Sequence, residues 1–163
     1  MYDCTQEAEM LRKVPLFSGL STSELKLLAF TSQQLGFAPG EVLMRRGDPA
    51  DSAYVILDGE VDVIGTTSAG EFVIAVLGRN SVTGEIGVLT DAPRTATVRA
   101  KGPVRALKVS PEVFLRLASG KPDRALHVMR ELAARIAVDS RALAALNEEL
   151  QKARAEAAQS AAR

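Results

Sequence analysis

The sequence predicts an α+β fold, mainly β: a small antiparallel β-barrel or jelly roll, preceded by short helices and followed by one long helix. Three observations predict it. From Glu7 to about Leu35 the apolar residues recur at helical spacing, and after "APGE" (38–41) they fall into short runs of period two cut by glycine. Turn signals at "PG", "GDPADS", "LDGE", "GTTSAG" and "GRN" then recur at the spacing of about 8–12 residues typical of an all-β sandwich or barrel. From Ser110 the helical period returns.

Taken in order, "GLSTSELKLLAF" offers Ser21 or Ser23 as a helix cap before Leu25, Leu27, Leu28 and Phe30. The strands are read in "EVLMRRG", "SAYVILDGEVDVIG", "EFVIAVLG", "TATVRA" and "VRALKVS", all within an antiparallel region spanning 37–109. The Arg-Gly-Asp of "RRGDP" is read as a hairpin turn. Tyr54 and Met44 stand at strand spacing and are assigned to the core. "SPEVFLRLAS" carries Ser110 as cap and Pro111 at the first helical position, and a long helix follows from Pro122. The expected divisions are 1–36 for the N-terminal helical segment, 37–120 for the barrel and 121–163 for the C-terminal helix.

With 163 residues, 47% of them hydrophobic and 25% charged, the chain has the composition of a soluble protein with one main core. Its 20 basic and 20 acidic residues cancel, which removes the electrostatic footprint of a nucleic-acid or anionic-membrane binder. No binding of nucleic acid by this chain alone, and no membrane partner, is therefore expected. The single Cys4 suits a reducing compartment, and the first ten residues are too acidic and polar for a signal peptide, so a cytoplasmic location is expected. His127 is the only histidine and has no second metal ligand beside it, so no metal site is expected. No nucleophile, base and acid arrangement is identifiable, and the expectation is a protein that is not an enzyme.

The stretch "GEIGVLTDAPRTATV" (84–98) interrupts the β alternation. It is too rich in glycine for a central strand and has room for one helical turn. A short helix beginning after Gly84 points the N–H groups of Glu85, Ile86 and Gly87 at one spot, an arrangement suited to an anion. Arg94 follows a stiffening proline and can grip a phosphate through two parallel hydrogen bonds, and Thr95 adds a hydroxyl. Glu85 repels a phosphate that it faces directly, so its place here requires neutral hydroxyls on the same ligand; a ribose beside a phosphate meets that requirement. The plain alternative is a pair of exposed charges flanking a strand connection, worth about 0–1 kcal/mol.

These residues closely resemble the phosphate-binding cassette of the cyclic nucleotide-binding domain family, the cAMP/cGMP sensors of the catabolite activator and protein kinase A regulatory subunit type. The resemblance extends to "VPLFSGLSTSEL" and to "GEVLMRRGDPADSAYVILDGEVDV", with Gly40, Gly47, Tyr54 and Gly59 at matching places. It implies that Glu85 binds the ribose 2′-hydroxyl, that Arg94 binds the cyclic phosphate, and that amides at Gly84, Ile86 and Gly87 complete the cradle. Thr95 stands where many members touch phosphate or base. Thr83 departs from the aromatic or large apolar residue that the family often has before the glycine. The resemblance implies no cofactor, with cAMP or cGMP as ligand. It also implies a sensor of cAMP, in which occupancy is passed to the C-terminal helix; the alternatives are a cGMP-preferring sensor and a non-binding dimerisation module of the same fold.

Along the last helix, Met129, Leu132, Ile136, Asp139, Leu143, Leu146, Leu150, Ala153 and Ala157 alternate in steps of three and four, a heptad seam that predicts a homodimer. Asp139 stands where the seam demands an apolar residue. Asp139 and Ser140 lie about where the family's helix meets the purine, so both are expected base contacts, while Arg135 one turn earlier offers Asp139 a local partner instead. No helix-turn-helix follows the seam, unlike the transcription factors that share the sensor domain.

Overall fold

The structure, a computed structural model, describes residues 4–161. These fall into two compact units, one running to Ala125 and the other from Leu126. The first unit opens with α1 (Thr5–Arg12), one turn of 3-10 helix (Pro15–Phe17) and α2 (Thr22–Thr31). Of the two serines, Ser21 is the cap. Its hydroxyl accepts from the Glu24 N–H at 3.3 Å while Glu24 Oε2 accepts from the Ser21 N–H at 2.8 Å, a closed capping box. Arg124 donates to the other Glu24 oxygen. The Ser21 N–H is the main influence holding the Glu24 carboxyl below its ordinary 4.5, aided by the Ser21 hydroxyl and Arg124 against partial desolvation.

Helix α2 ends at Thr31, four residues short of the helical spacing read up to Leu35. Ser32 is already extended, and β1 (Gln33–Phe37) pairs antiparallel with β8 (Val104–Val109) from Gln33–Lys108 to Phe37–Val104. Leu35 lies seven residues after Leu28, which fits a helix, but its alternation with Phe37 fits a strand equally well. The ladder offered by β8 decides between them.

Between β1 and β8 the chain forms β2 (Val42–Met44), β3 (Ala53–Asp58), β4 (Val61–Thr67), β5 (Gly70–Leu77), β6 (Val82–Thr83), α3 (Glu85–Thr90) and β7 (Thr97–Ala100). The strands make two four-stranded antiparallel sheets of order β1-β8-β3-β6 and β2-β7-β4-β5, the jelly-roll form of the predicted architecture. Strand β6, only two residues long, has too little sequence to carry an alternation and escapes the reading above. The loop after β2 is not a hairpin turn, because β2 and β3 belong to different sheets. Its turn is real, with Gly47 at φ +87°, but the Gly47 N–H donates to the Arg94 carbonyl and the Arg94 N–H to the Asp48 carbonyl, so the loop is tied to a distant segment.

Strand β3 reads as one apolar run because both its faces are covered. Ala53, Val55 and Leu57 pack with Leu11, Leu25, Leu28, Leu107 and Phe114 in a core between this sheet and the helices. Tyr54 and Ile56 point the other way, into a second core with Met44, Val61, Val98 and Ala106. Tyr54 and Met44 are thus core residues as expected.

Capped by Ser110, whose hydroxyl accepts from the Val113 N–H, and started by Pro111, α4 (Pro111–Ser119) buries Phe114 and Leu117. Helix α5 (Pro122–Ala161) follows, and from Leu126 on it is the second unit. No helix among the described residues is long and apolar enough to cross a membrane.

Candidate functional site

The stretch from Gly84 to Arg94 folds as the sequence predicts, into one short helix that stands in place of a strand. Gly84 caps α3 at φ +79°, a conformation glycine adopts without steric cost, and a Cβ there would lie 2.5 Å from Arg94 Nη1 and 3.1 Å from Met44 Cε. Gly87 is equally confined, since a Cβ would meet Ala50 Cβ at 2.7 Å and the Ala92 carbonyl at 3.0 Å. Asp91, at φ +48°, turns the chain out of the helix, and the Ala92 N–H donates to the Gly87 carbonyl. Pro93 and Arg94 then lie against the start of the helix.

Glu85 is 1% exposed and Arg94 is 4% exposed. Two such buried charges do not fit the plain reading of solvated residues at a strand connection, because removing an ionised group from water is costly unless other groups engage it. The Arg94 guanidinium donates through Nη1 to the Gly84 carbonyl at 3.0 Å, and through Nη2 to Asp51 Oδ1 and Ser52 Oγ, both at 3.1 Å. Ser52 Oγ donates in turn to Asp51 Oδ1 at 2.9 Å, and Lys108 Nζ donates to Asp51 Oδ2 at 3.1 Å. Desolvation works to raise the Asp51 pKa, but the bonds from Lys108 and Ser52 and the charges of Lys108 and Arg94 outweigh it, so the carboxyl sits below its ordinary 3.8.

Gly84, Glu85, Ile86 and Gly87 therefore form the cap and first turn of α3, the Arg94 guanidinium reaches that cap, and Thr95 follows Arg94 in the chain. Ile86 and Thr95 are exposed, while Glu85, Gly87 and Arg94 are buried. Asp139 and Ser140 lie in the second unit, exposed, midway along α5. Among the described residues there is no group of His, Cys, Asp and Glu that could hold a metal ion.

Sequence reasoning missed Asp51, Ser52 and Lys108. Asp51 and Ser52 lie 43 and 42 residues before Arg94, a distance no local pattern spans. Lys108 carried a faint signal. On β8 it follows Val104 and Ala106 at period two, so it falls on the face that lines the second core, where a lysine is out of place.

The model of the cyclic nucleotide-binding domain matches residues 34–121, more than half of the chain, including Gly84 to Thr95 but not Asp139 and Ser140. The cAMP-dependent protein kinase regulatory subunit of Blastocladiella emersonii is 35% identical over 108 residues, 66% of this chain. The chain spans only 27% of that protein's length and 35% of its counterpart in Dictyostelium discoideum. The sensor domain of the transcriptional regulator DNR from Pseudomonas aeruginosa superposes with TM-score 0.75 at 25% identity, over 83% of this chain and 92% of that one. A cAMP-binding acyltransferase from Mycobacterium smegmatis superposes with TM-score 0.67 at 32% identity, over 83% of this chain and 42% of that one. With that domain matched over more than half of its length, the chain belongs to the cyclic nucleotide-binding domain family.

Proposed function

We propose that this chain is a sensor module that binds cAMP in preference to cGMP and passes occupancy to α5. The observation that carries the proposal is the buried Arg94 guanidinium against the Gly84 carbonyl at the start of α3. A charge held there in a low-dielectric setting attracts a phosphate more strongly than a solvated arginine does. In this reading Arg94 takes the cyclic phosphate, the amides of Gly84, Ile86 and Gly87 and the Thr95 hydroxyl surround it, and Glu85 accepts from the ribose 2′-hydroxyl. The preference for cAMP is supported by the relatives, since the kinase regulatory subunit is named for its cAMP dependence and the acyltransferase for binding cAMP.

Calorimetry with the two nucleotides tests it. A ligand of about 22 non-hydrogen atoms at roughly 0.3 kcal/mol per atom gives about 7 kcal/mol, so micromolar binding of cAMP, and weaker binding of cGMP, is the expected result. No heat with either nucleotide overturns the proposal and leaves a non-binding dimerisation module.

A dimerisation role is favoured by a separate observation. Met129, Ile136, Leu143, Leu146 and Leu150 of the seam are all exposed on α5, and an isolated helix with such a stripe gains most of its stability by packing the stripe. The proposal is a parallel pairing of two copies, with Asp139 as the unfavourable seam position and Asp139 and Ser140 as base contacts when ligand is bound. Asp139→Leu is then expected to strengthen dimerisation without ligand, and to lower cAMP affinity or alter the preference for cAMP over cGMP. Sedimentation and calorimetry check both; unchanged values for both would reduce Asp139 to a solvated charge.

A further inference from the structure

A phosphate arriving at Arg94 meets a guanidinium that already serves a carboxylate. Arg94 Nη2 donates to Asp51, and the Arg94 side chain is 2% exposed, so its charge is compensated chiefly by what lies inside the site. Asp51 differs: its side chain is 63% exposed, so its attraction for Arg94 is screened by water and yields readily. The same carboxylate is held from its other oxygen by Lys108 Nζ at 3.1 Å, and the Lys108 side chain is 31% exposed. Three charged side chains from separate parts of the sequence thus form one line, Lys108 to Asp51 to Arg94.

The charges decide what Lys108 contributes. A cyclic phosphate bound at Arg94 brings a second anion within reach of the Asp51 carboxylate. With Lys108 present, this cluster then holds two cations and two anions; without it, two anions share one cation. In that case Asp51 and the phosphate compete for Arg94 and repel one another. We infer that Lys108 is a positioning residue for nucleotide binding, which acts through Asp51: by holding the carboxylate on its far oxygen it frees Arg94 for the phosphate. The inference rests on the proposed role of Arg94 and assigns Lys108 no contact with the ligand. The architecture favours it, because Lys108 stands on β8 opposite Tyr54 of β3, and Asp51 lies in the loop two residues before that strand begins, within reach of the lysine.

A double-mutant cycle by calorimetry, with cAMP as the probe and the full chain throughout, separates this role from others. Lys108→Gln is expected to weaken cAMP binding about three- to fivefold, the scale of a partly exposed ion pair. Lys108→Arg, which keeps the charge, is expected to bind within about twofold of wild type. In an Asp51→Asn background the carboxylate no longer competes, and Lys108→Gln is expected to change the affinity by less than about 1.5-fold. An equal loss in both backgrounds overturns the inference, since Lys108 would then act on the ligand or on the fold without Asp51. No loss on Lys108→Gln alone overturns it as well. In both cases the binding of cAMP by the wild type leaves the role of Arg94 standing, whereas a wild type that binds neither nucleotide overturns the role of Arg94 and the inference together.

Discussion

Arg94→Ala is expected to weaken cAMP binding by about 2 kcal/mol or more, roughly thirtyfold, which isothermal calorimetry reads directly. Two effects add. The cyclic phosphate loses its charge-assisted donors, and the start of α3 loses the bond that ties the Gly84 carbonyl to the guanidinium. The substitution also removes donors from Ser52 and Asp51, so a fall in melting temperature should accompany the loss of binding. The far-ultraviolet circular dichroism should scarcely change, because the ladders of both sheets are built without this side chain. Glu85→Gln should cost less affinity, since an amide oxygen still accepts from a ribose hydroxyl, although without charge assistance. Binding of cAMP by Arg94→Ala within twofold of wild type would sink the assignment, and a larger loss for Glu85→Gln would reverse the two roles.

The second large effect is expected on stability and lies away from the site. Gly59, between β3 and β4, has φ +85°, and a Cβ there would lie 2.3 Å from the Pro103 carbonyl and 3.1 Å from Val104 Cα. The left-handed backbone alone costs a non-glycine residue about 1–2 kcal/mol. The contact with backbone atoms cannot be relieved by rotating a side chain, so Gly59→Ala should lose about 3 kcal/mol in all. At roughly 2–4 °C per kcal/mol for a chain of this size, the melting temperature should fall by about 6–12 °C. Gly19 has nothing within 4 Å of a built Cβ and no positive φ, so Gly19→Ala serves as the control, with a change under about 1 kcal/mol. A Gly59→Ala chain that melts with the control would show that the turn between β3 and β4 relaxes freely.

Much of this was legible in the sequence because the governing signals are local. The Ser110 cap, the glycine before α3 and the proline starting α4 each act within one turn of helix and stand where the sequence put them, and the α2 cap is Ser21, one of the two serines it offered. The short helix after Gly84 was legible for the same reason, since its glycines and the proline that follows it are neighbours in the chain. What was not legible depends on pairing between distant segments. The end of α2 at Thr31 is set by β8, more than seventy residues away. The loop after β2 reads as a hairpin from its Arg-Gly-Asp turn, yet it crosses between sheets because Arg94 holds both the Gly47 amide and the Asp48 carbonyl. Lys108 reaches Asp51, 57 residues earlier, from a strand paired with the one that follows Asp51. A period-two pattern tells which face a residue takes, and it does not tell which strand lies alongside.

Strand β3 sends alternate side chains into two cores, Val55 toward the helices and Ile56 toward the facing sheet. No layer of the first unit can therefore be peeled off while leaving the other intact, because losing either one wets a face of the same six-residue strand. The helices and the two sheets should melt together, as a single step with no half-unfolded state between. The strand begins directly after Asp51 and Ser52, so the residues that hold Arg94 adjoin the strand that both cores share. The buried Arg94 guanidinium should consequently lose its Ser52 partner chiefly when the first unit as a whole unfolds.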